Sequence, residues 1–171
     1  MTKNNPSDSC CLTHDAAPVG SNLLCPSCGS RGKAVKQVTI DALVTAQARS
    51  SLKSSDGFRF CPEPTCDMAY FHPGSGDRVG QNGVKVKIGL KQSEPPRIVC
   101  YCFDHTAEAI ESEARATGTS GIQTSILEKC RQGLDRCEET NPQGSCCLGN
   151  VRRVVDGAIE TLAEGDLEQQ P

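Results

Sequence analysis

The hydrophobic residues of this chain change their period once. In the first half they come in short, near-alternating runs. AVKQVTIDALVT (34–45) has β-branched residues in near-alternation and predicts a strand, its last part able to begin a helix. GFRFCPEPTCDMAYFHP (57–73) sets two aromatic-bearing runs, FRF and MAYF, around a Cys-Pro-Glu-Pro-Thr-Cys loop, which predicts a hairpin with thiols at its tip. In VGQNGVKVKIGL (79–90), Val84, Val86 and Ile88 alternate with Lys85 and Lys87, predicting a half-exposed strand after an Asn-Gly turn.

Past Cys102 the period becomes helical. HTAEAIESEARATG (105–118) opens at a Thr106 cap and stops at Gly118. IQTSILEKCRQGL (122–134) puts Ile122, Ile126 and Leu127 on one side. CLGNVRRVVDGAIETLAEG (147–165) repeats Leu148, Val151, Val154, Val155, Ile159 and Leu162 at helical spacing. The change falls near KQSEPPRIV, where Pro95-Pro96 stiffens an extended link. The pattern predicts an α+β protein: a flexible tail over 1–20, a small β-rich module over 21–98, a helical module over 99–164 and a second tail over 165–171.

Composition changes that picture by removing most of the usual core. The 171 residues include no Trp, two Tyr and four Phe, against twelve Cys. A fold so short of large apolar groups draws stability from disulfides or metal. The N-terminus shows no apolar segment after a basic start, and no run approaches a membrane span, so a cytoplasmic location without membrane insertion is expected. There thiols stay reduced, and paired cysteines point to metal. Charge divides as the pattern does. Residues 21–99 carry eleven Lys/Arg against six Asp/Glu, and residues 100–171 six against thirteen.

CPSC (Cys25, Cys28) and CPEPTC (Cys61, Cys66) form one constellation. Two short-loop pairs are how tetrahedral zinc is gripped by four thiolates, with Gly29 easing the turn of the first knuckle. A redox CPSC or unligated buried thiols are the alternatives, and Asp67 and His72 nearby read as a solvated acid and a surface imidazole. CYC (Cys100, Cys102), Cys137 and the adjacent pair Cys146-Cys147 form another. Alternate residues share a face of a strand, so Cys100 and Cys102 suit one iron of a cluster, with the second iron served from elsewhere. A second zinc accepts the same donors. Cys130, inside a helix, reads as a packed thiol.

The order CYCF…C-x9-C with NPQGSCCLG, the upstream CPSCG…FRFCPEPTCDMAYF, and VKVKIGLKQSEPPRIVCYCF together resemble the N-terminal region of CopZ-type copper metallochaperones across about residues 23–150. The resemblance implies a zinc-binding module followed by a helical 2Fe–2S domain like that of bacterioferritin-associated ferredoxins. It implies zinc on Cys25, Cys28, Cys61 and Cys66, and the cluster on Cys100, Cys102, Cys137 and Cys147 at a helix mouth, with Cys146 pointing elsewhere. It further implies reduction of Cu(II) to Cu(I) at the cluster region and delivery to a membrane copper ATPase. The Met-x-Cys-x-x-Cys loop of a copper-carrying domain does not occur in these residues. The partner expected is therefore a copper or soft-metal transporter or a separate small metallochaperone.

SCCLTHD offers Cys10, Cys11 and His14 as a soft-metal catch for Cu(I), and Cys146 is a further docking thiol beside the cluster. A ferredoxin-like electron-transfer partner with no trafficked metal is the alternative function. A zinc-ribbon nucleic-acid module finds footing in Lys85, Lys87, Lys91 and Arg97, but interleaved aromatic platforms are missing and no nucleic acid is expected. With three His and no nucleophile–base arrangement, a conventional enzyme is not expected.

Overall fold

The computed structural model describes residues 23–167. The expected N-terminal tail, with Cys10, Cys11 and His14, lies outside them. The first module is a four-stranded antiparallel sheet in chain order: β1 (Lys33–Ala34), β2 (Arg59–Phe60), β3 (Met68–Phe71) and β4 (Arg78–Gly80). Residues of β3 are buried throughout. The predicted hairpin is the β2–β3 pair, registered Arg59 to Phe71 and Phe60 to Tyr70.

The strand predicted over 34–45 is instead mostly helix: β1 ends at Ala34, and α1 (Gln37–Leu43) and α2 (Ala46–Arg49) follow. The same residues satisfy both periods. Thr39, Ile40 and Leu43 fall on one helical face and are buried, while Val38 is left in solvent. Packing that face onto Phe58, Phe60 and Tyr70 outweighs the β-branched preference. The strand predicted over 84–88 also fails to form. Residues Gln81–Gly83 make a 3-10 turn, and only Val84 bridges, to Val44. Val84 and Ile88 are buried and Lys85 and Lys87 exposed, so alternation reported burial correctly. Among the described residues no partner strand completes a ladder there; Tyr101 Oη instead donates to Lys87 O.

The helical module opens with a two-stranded ribbon, β5 (Ile98–Cys100) and β6 (His105–Thr106). It continues with α3 (Ala107–Thr117), α4 (Gly121–Arg131), a single turn α5 (Cys137–Thr140) and α6 (Leu148–Leu167), which runs two residues beyond the helical pattern read over 147–165. Thr106 caps α3 by accepting the Ala109 N–H. Ile110, Ala114, Ile126, Val151, Val155 and Ala158 interleave to form its core, with Cys130 buried among them.

A loop of the helical module is fastened to the sheet module. Tyr70 Oη donates to Pro142 O at 2.8 Å, Thr39 Oγ1 to Glu138 O at 2.7 Å, and Lys33 Nζ to Ser145 Oγ at 2.6 Å. Lys36 pairs with Glu138. Gly144 has a left-handed φ of 62°, and a Cβ there would lie 2.9 Å from Thr39 Oγ1. That closeness admits glycine alone without movement.

Candidate metal centres

The first thiol group is built from two tight loops. In the knuckle, the Gly29 N–H returns to Cys25 O and the Cys25 N–H to Ser30 O, with Gly29 at φ 76°. The second loop bulges from the β2–β3 hairpin. Cys61 N–H pairs with Ala69 O, and Cys66 N–H with Glu63 O. Lys91 Nζ reaches across to donate to the carbonyls of Glu63 and Cys66, a clamp that sequence reading passed over because lysine signals solvent rather than structure. Sγ of Cys25 stands 4.0 Å from that of Cys66, and Cys28 3.5 Å from Cys61. All four sulfurs lie within 4.8 Å of one another. Sulfurs held about 2.3 Å from a single tetrahedral zinc stand about 3.8 Å apart, so the residues fit one ion.

Three of these cysteines are buried against Met68 and Phe71, and Cys28 is exposed. Burial pushes the Cys61 and Cys66 thiols up. At Cys28 desolvation also acts upward, but hydrogen bonds from Ser30 and the neighbouring thiols outweigh it and bring the group down to about 6. His72 does not join them: its Nδ1 accepts the Gly74 and Ser75 N–H groups, and its ring stands edge-on to Phe58.

The second thiol group is assembled differently from its expected form. β5 ends at Cys100, which is 1% exposed, and Cys102 lies in the following turn, whose last residue Asp104 has φ 55°. The Cys-x-Cys pair therefore does not share a strand face. Cys102 Sγ lies 3.6 Å from Cys137 Sγ at the start of α5 and accepts the Arg136 N–H at 3.3 Å. Cys100 makes its hydrogen bond with Cys147, whose carbonyl receives the first N–H groups of α6. Cys102 thus stands beside Cys137, while Cys100 interacts with Cys147.

Cys146, expected to point elsewhere, is half-buried and packs against the helical core beside Cys147. The hydrogen bond from Cys147 leads in lowering Cys100 to about 7. Contact with neighbouring sulfurs, then burial, pushes Cys137 and Cys147 up. Among the described residues, only the first group brings three or more Cys, His or acidic ligand atoms within 4.8 Å of each other. The second is wider than a single-ion cage. Two pairs of thiolates, one per iron, are the donor set of a 2Fe–2S cluster, and these residues fit it.

Comparison with known proteins agrees with the geometry of the first thiol group. Residues 22–85 match the zf_CopZ family, described as a zinc binding domain. The chain is also similar to the copper chaperone CopZ of Archaeoglobus fulgidus, at 30% identity over 131 residues, covering 76% of this chain and 60% of that protein. It therefore spans about three fifths of that relative's length. Its fold is similar to the X-ray structure of the Archaeoglobus fulgidus CopZ N-terminal domain, with a TM-score of 0.61 and 28% identity, covering 77% of this chain and 96% of that domain. The β-rich first module followed by a helical region is a CopZ-like α+β architecture. No helix among the described residues is long and apolar enough to cross a membrane.

Proposed function

We propose that this is a cytoplasmic metallochaperone-like protein holding a structural zinc and a 2Fe–2S cluster, with a one-electron, metal-binding role in the trafficking of, or resistance to, copper or another soft metal. The observation that carries it is the difference in size between two thiol groups on one fold: a single-ion cage of Cys25, Cys28, Cys61 and Cys66, and a wider set paired as Cys100–Cys147 and Cys102–Cys137. Four protein ligands close the zinc site, so it serves structure.

When bound, a 2Fe–2S cluster supplies one electron at a potential set by charge, exposure and hydrogen bonds to sulfur. The chain's own residues give that centre a buried side and an open side. Cys100 and Cys147 are shut into the helical core, whereas Cys102 is half-exposed and takes the Arg136 N–H. The open side is where an electron or a Cu(II) ion would approach, and reduction gives Cu(I), the state thiolates select. Likeness to a protein named a copper chaperone supports copper as the cargo. A copper transporter or ATPase, or a small metallochaperone, is the fitting partner.

Anaerobically purified protein tests the reading. A red-brown solution with about two irons, two sulfides and one zinc per chain is expected. Two zincs without sulfide would refute the redox role. Reduced protein should then convert Cu(II) to Cu(I), scored by a Cu(I)-specific chelator. A loaded cluster indifferent to copper would leave an electron-transfer partner in its place.

A further inference from the structure

Where α3, α6 and β5 meet the 88–92 segment and the 141–143 turn, the chain leaves a cavity of about 380 Å³, and no sulfur of either thiol group lines it. Small-molecule sites begin at about this size. Ile88, Leu90, Ile98, Val99, Val154 and Ala158 give it an apolar lining. The wall at Gly89 is rigid. Gly89 N–H donates to Tyr101 Oη at 2.8 Å, Tyr101 Oη donates to Lys87 O at 2.9 Å, and a Cβ on residue 89 would fall 1.9 Å from Ile98 O. Charge on the lining is uneven: Arg97, Arg115 and Arg153 face a single acid, Glu111. Glu111 binds Arg97 at 2.7 Å and stands 3.6 Å from Arg115, while Glu108 holds Arg97 from outside the lining at 2.7 Å. With both acids counted, one positive charge is left over, and it belongs to Arg153. Among the described residues Arg153 pairs with no carboxylate. Its guanidinium donates to Asn150 Oδ1 and, at 3.4 Å, to Gly149 O, both neutral. A guanidinium positioned by neutral acceptors beside apolar surface is suited to bidentate recognition of a carboxylate.

We propose that this cavity binds a small organic carboxylate, with its apolar body against Ile98, Val99 and Val154 and its charged end on Arg153 and Arg115. The site does not depend on which metal the thiols hold. Its occupant nevertheless rests on the segments that carry the second thiol group: Val99 precedes Cys100, the 141–143 turn leads to Cys146, and α6 starts directly after Cys147.

The probe is 4-phenylbutyrate, titrated into the full-length protein with its metals as isolated and followed by saturation-transfer NMR, with the neutral 4-phenylbutanamide as its partner of equal shape. Phenylbutyrate is expected to bind with a Kd of about 1 mM or tighter. The amide should bind about tenfold more weakly, and Arg153→Gln should weaken the acid by about the same factor. Gly157→Leu should abolish binding of both. Residue 157 lines the cavity, and a Cβ there meets nothing within 4 Å, so the new side chain grows into open space. Leucine is also the better helix former, so circular dichroism should show the fold retained; if it is lost, Arg153→Gln decides alone. Equal binding of acid and amide, or an Arg153→Gln variant that binds as wild type does, overturns carboxylate recognition. Undiminished binding to folded Gly157→Leu, or no binding of phenylbutyrate up to about 10 mM, overturns the site itself.

Discussion

The two thiol groups are made from the same side chain and obey different construction rules. The first draws on two local loops, 25–28 and 61–66, inside one sheet module, and its backing is Met68 and Phe71 from the adjoining strand. The second gathers sulfurs from a strand end, a turn, a one-turn helix and a helix entrance, and its loop is secured by residues about a hundred positions away. A local site depends on its own turns. A distributed site depends on everything that holds its pieces in register, so damage far from any sulfur should reach it.

Breaking the local cage itself should have the largest effect. Cys61→Ala removes a fully buried ligand. Structural zinc contributes on the order of 10 kcal/mol, comparable with the entire stability of a small domain at about 5–15 kcal/mol. The expected outcome is loss of zinc and of the sheet module's cooperative melt, measured by metal analysis and circular dichroism. Ile126→Ala comes next. Emptying this fully buried position in the helical core should cost about 2–5 kcal/mol in a denaturant titration. The contrast requires that the variant lose iron while retaining zinc; loss of both in parallel would show that the two sites are not independent.

Tyr70→Phe sharpens the comparison further, because Tyr70 stands on the sheet but its hydroxyl serves the distant loop. Losing the bond to Pro142 O leaves a buried carbonyl unpaired, at about 1–3 kcal/mol. Bleaching of the visible bands should come at lower urea, with zinc content unchanged. Thr106→Ala, which removes the α3 cap and touches no sulfur, should cost about 1 kcal/mol and shift only the unfolding midpoint.

Local features were the ones legible in the sequence. The hairpin around CPEPTC, the Thr106 cap, three of the helices and the apolar face of α6 each rest on neighbours within a few residues. What escaped depends on distant partners. Residues 37–43 became helix because Phe58, Phe60 and Tyr70 offer a surface to one face, and residues 84–88 find, among the described residues, only a single bridge, Val84 to Val44. The spacing of Cys100 and Cys102 suggested a shared face, but β5 stops at the first of them, and where a ribbon turns is set by its pairing with His105 and Thr106. Cys146 could be named from its position beside Cys147, yet its half-burial against the helical core depends on distant partners that no short window encodes.

The fastening of the 138–145 loop to the sheet also orders events in time. The partners of that loop are separated from it by 72 to 112 residues. All four sulfurs of the first group, and Tyr70 soon after them, leave the ribosome well before Glu138 is synthesised. Domains fold as units during synthesis, and long closures are slow to form. The sheet module can thus be finished while Cys137, Cys146 and Cys147 are still unmade. It then serves as the template on which the later loop, with Cys146 and Cys147 at its end, is laid down.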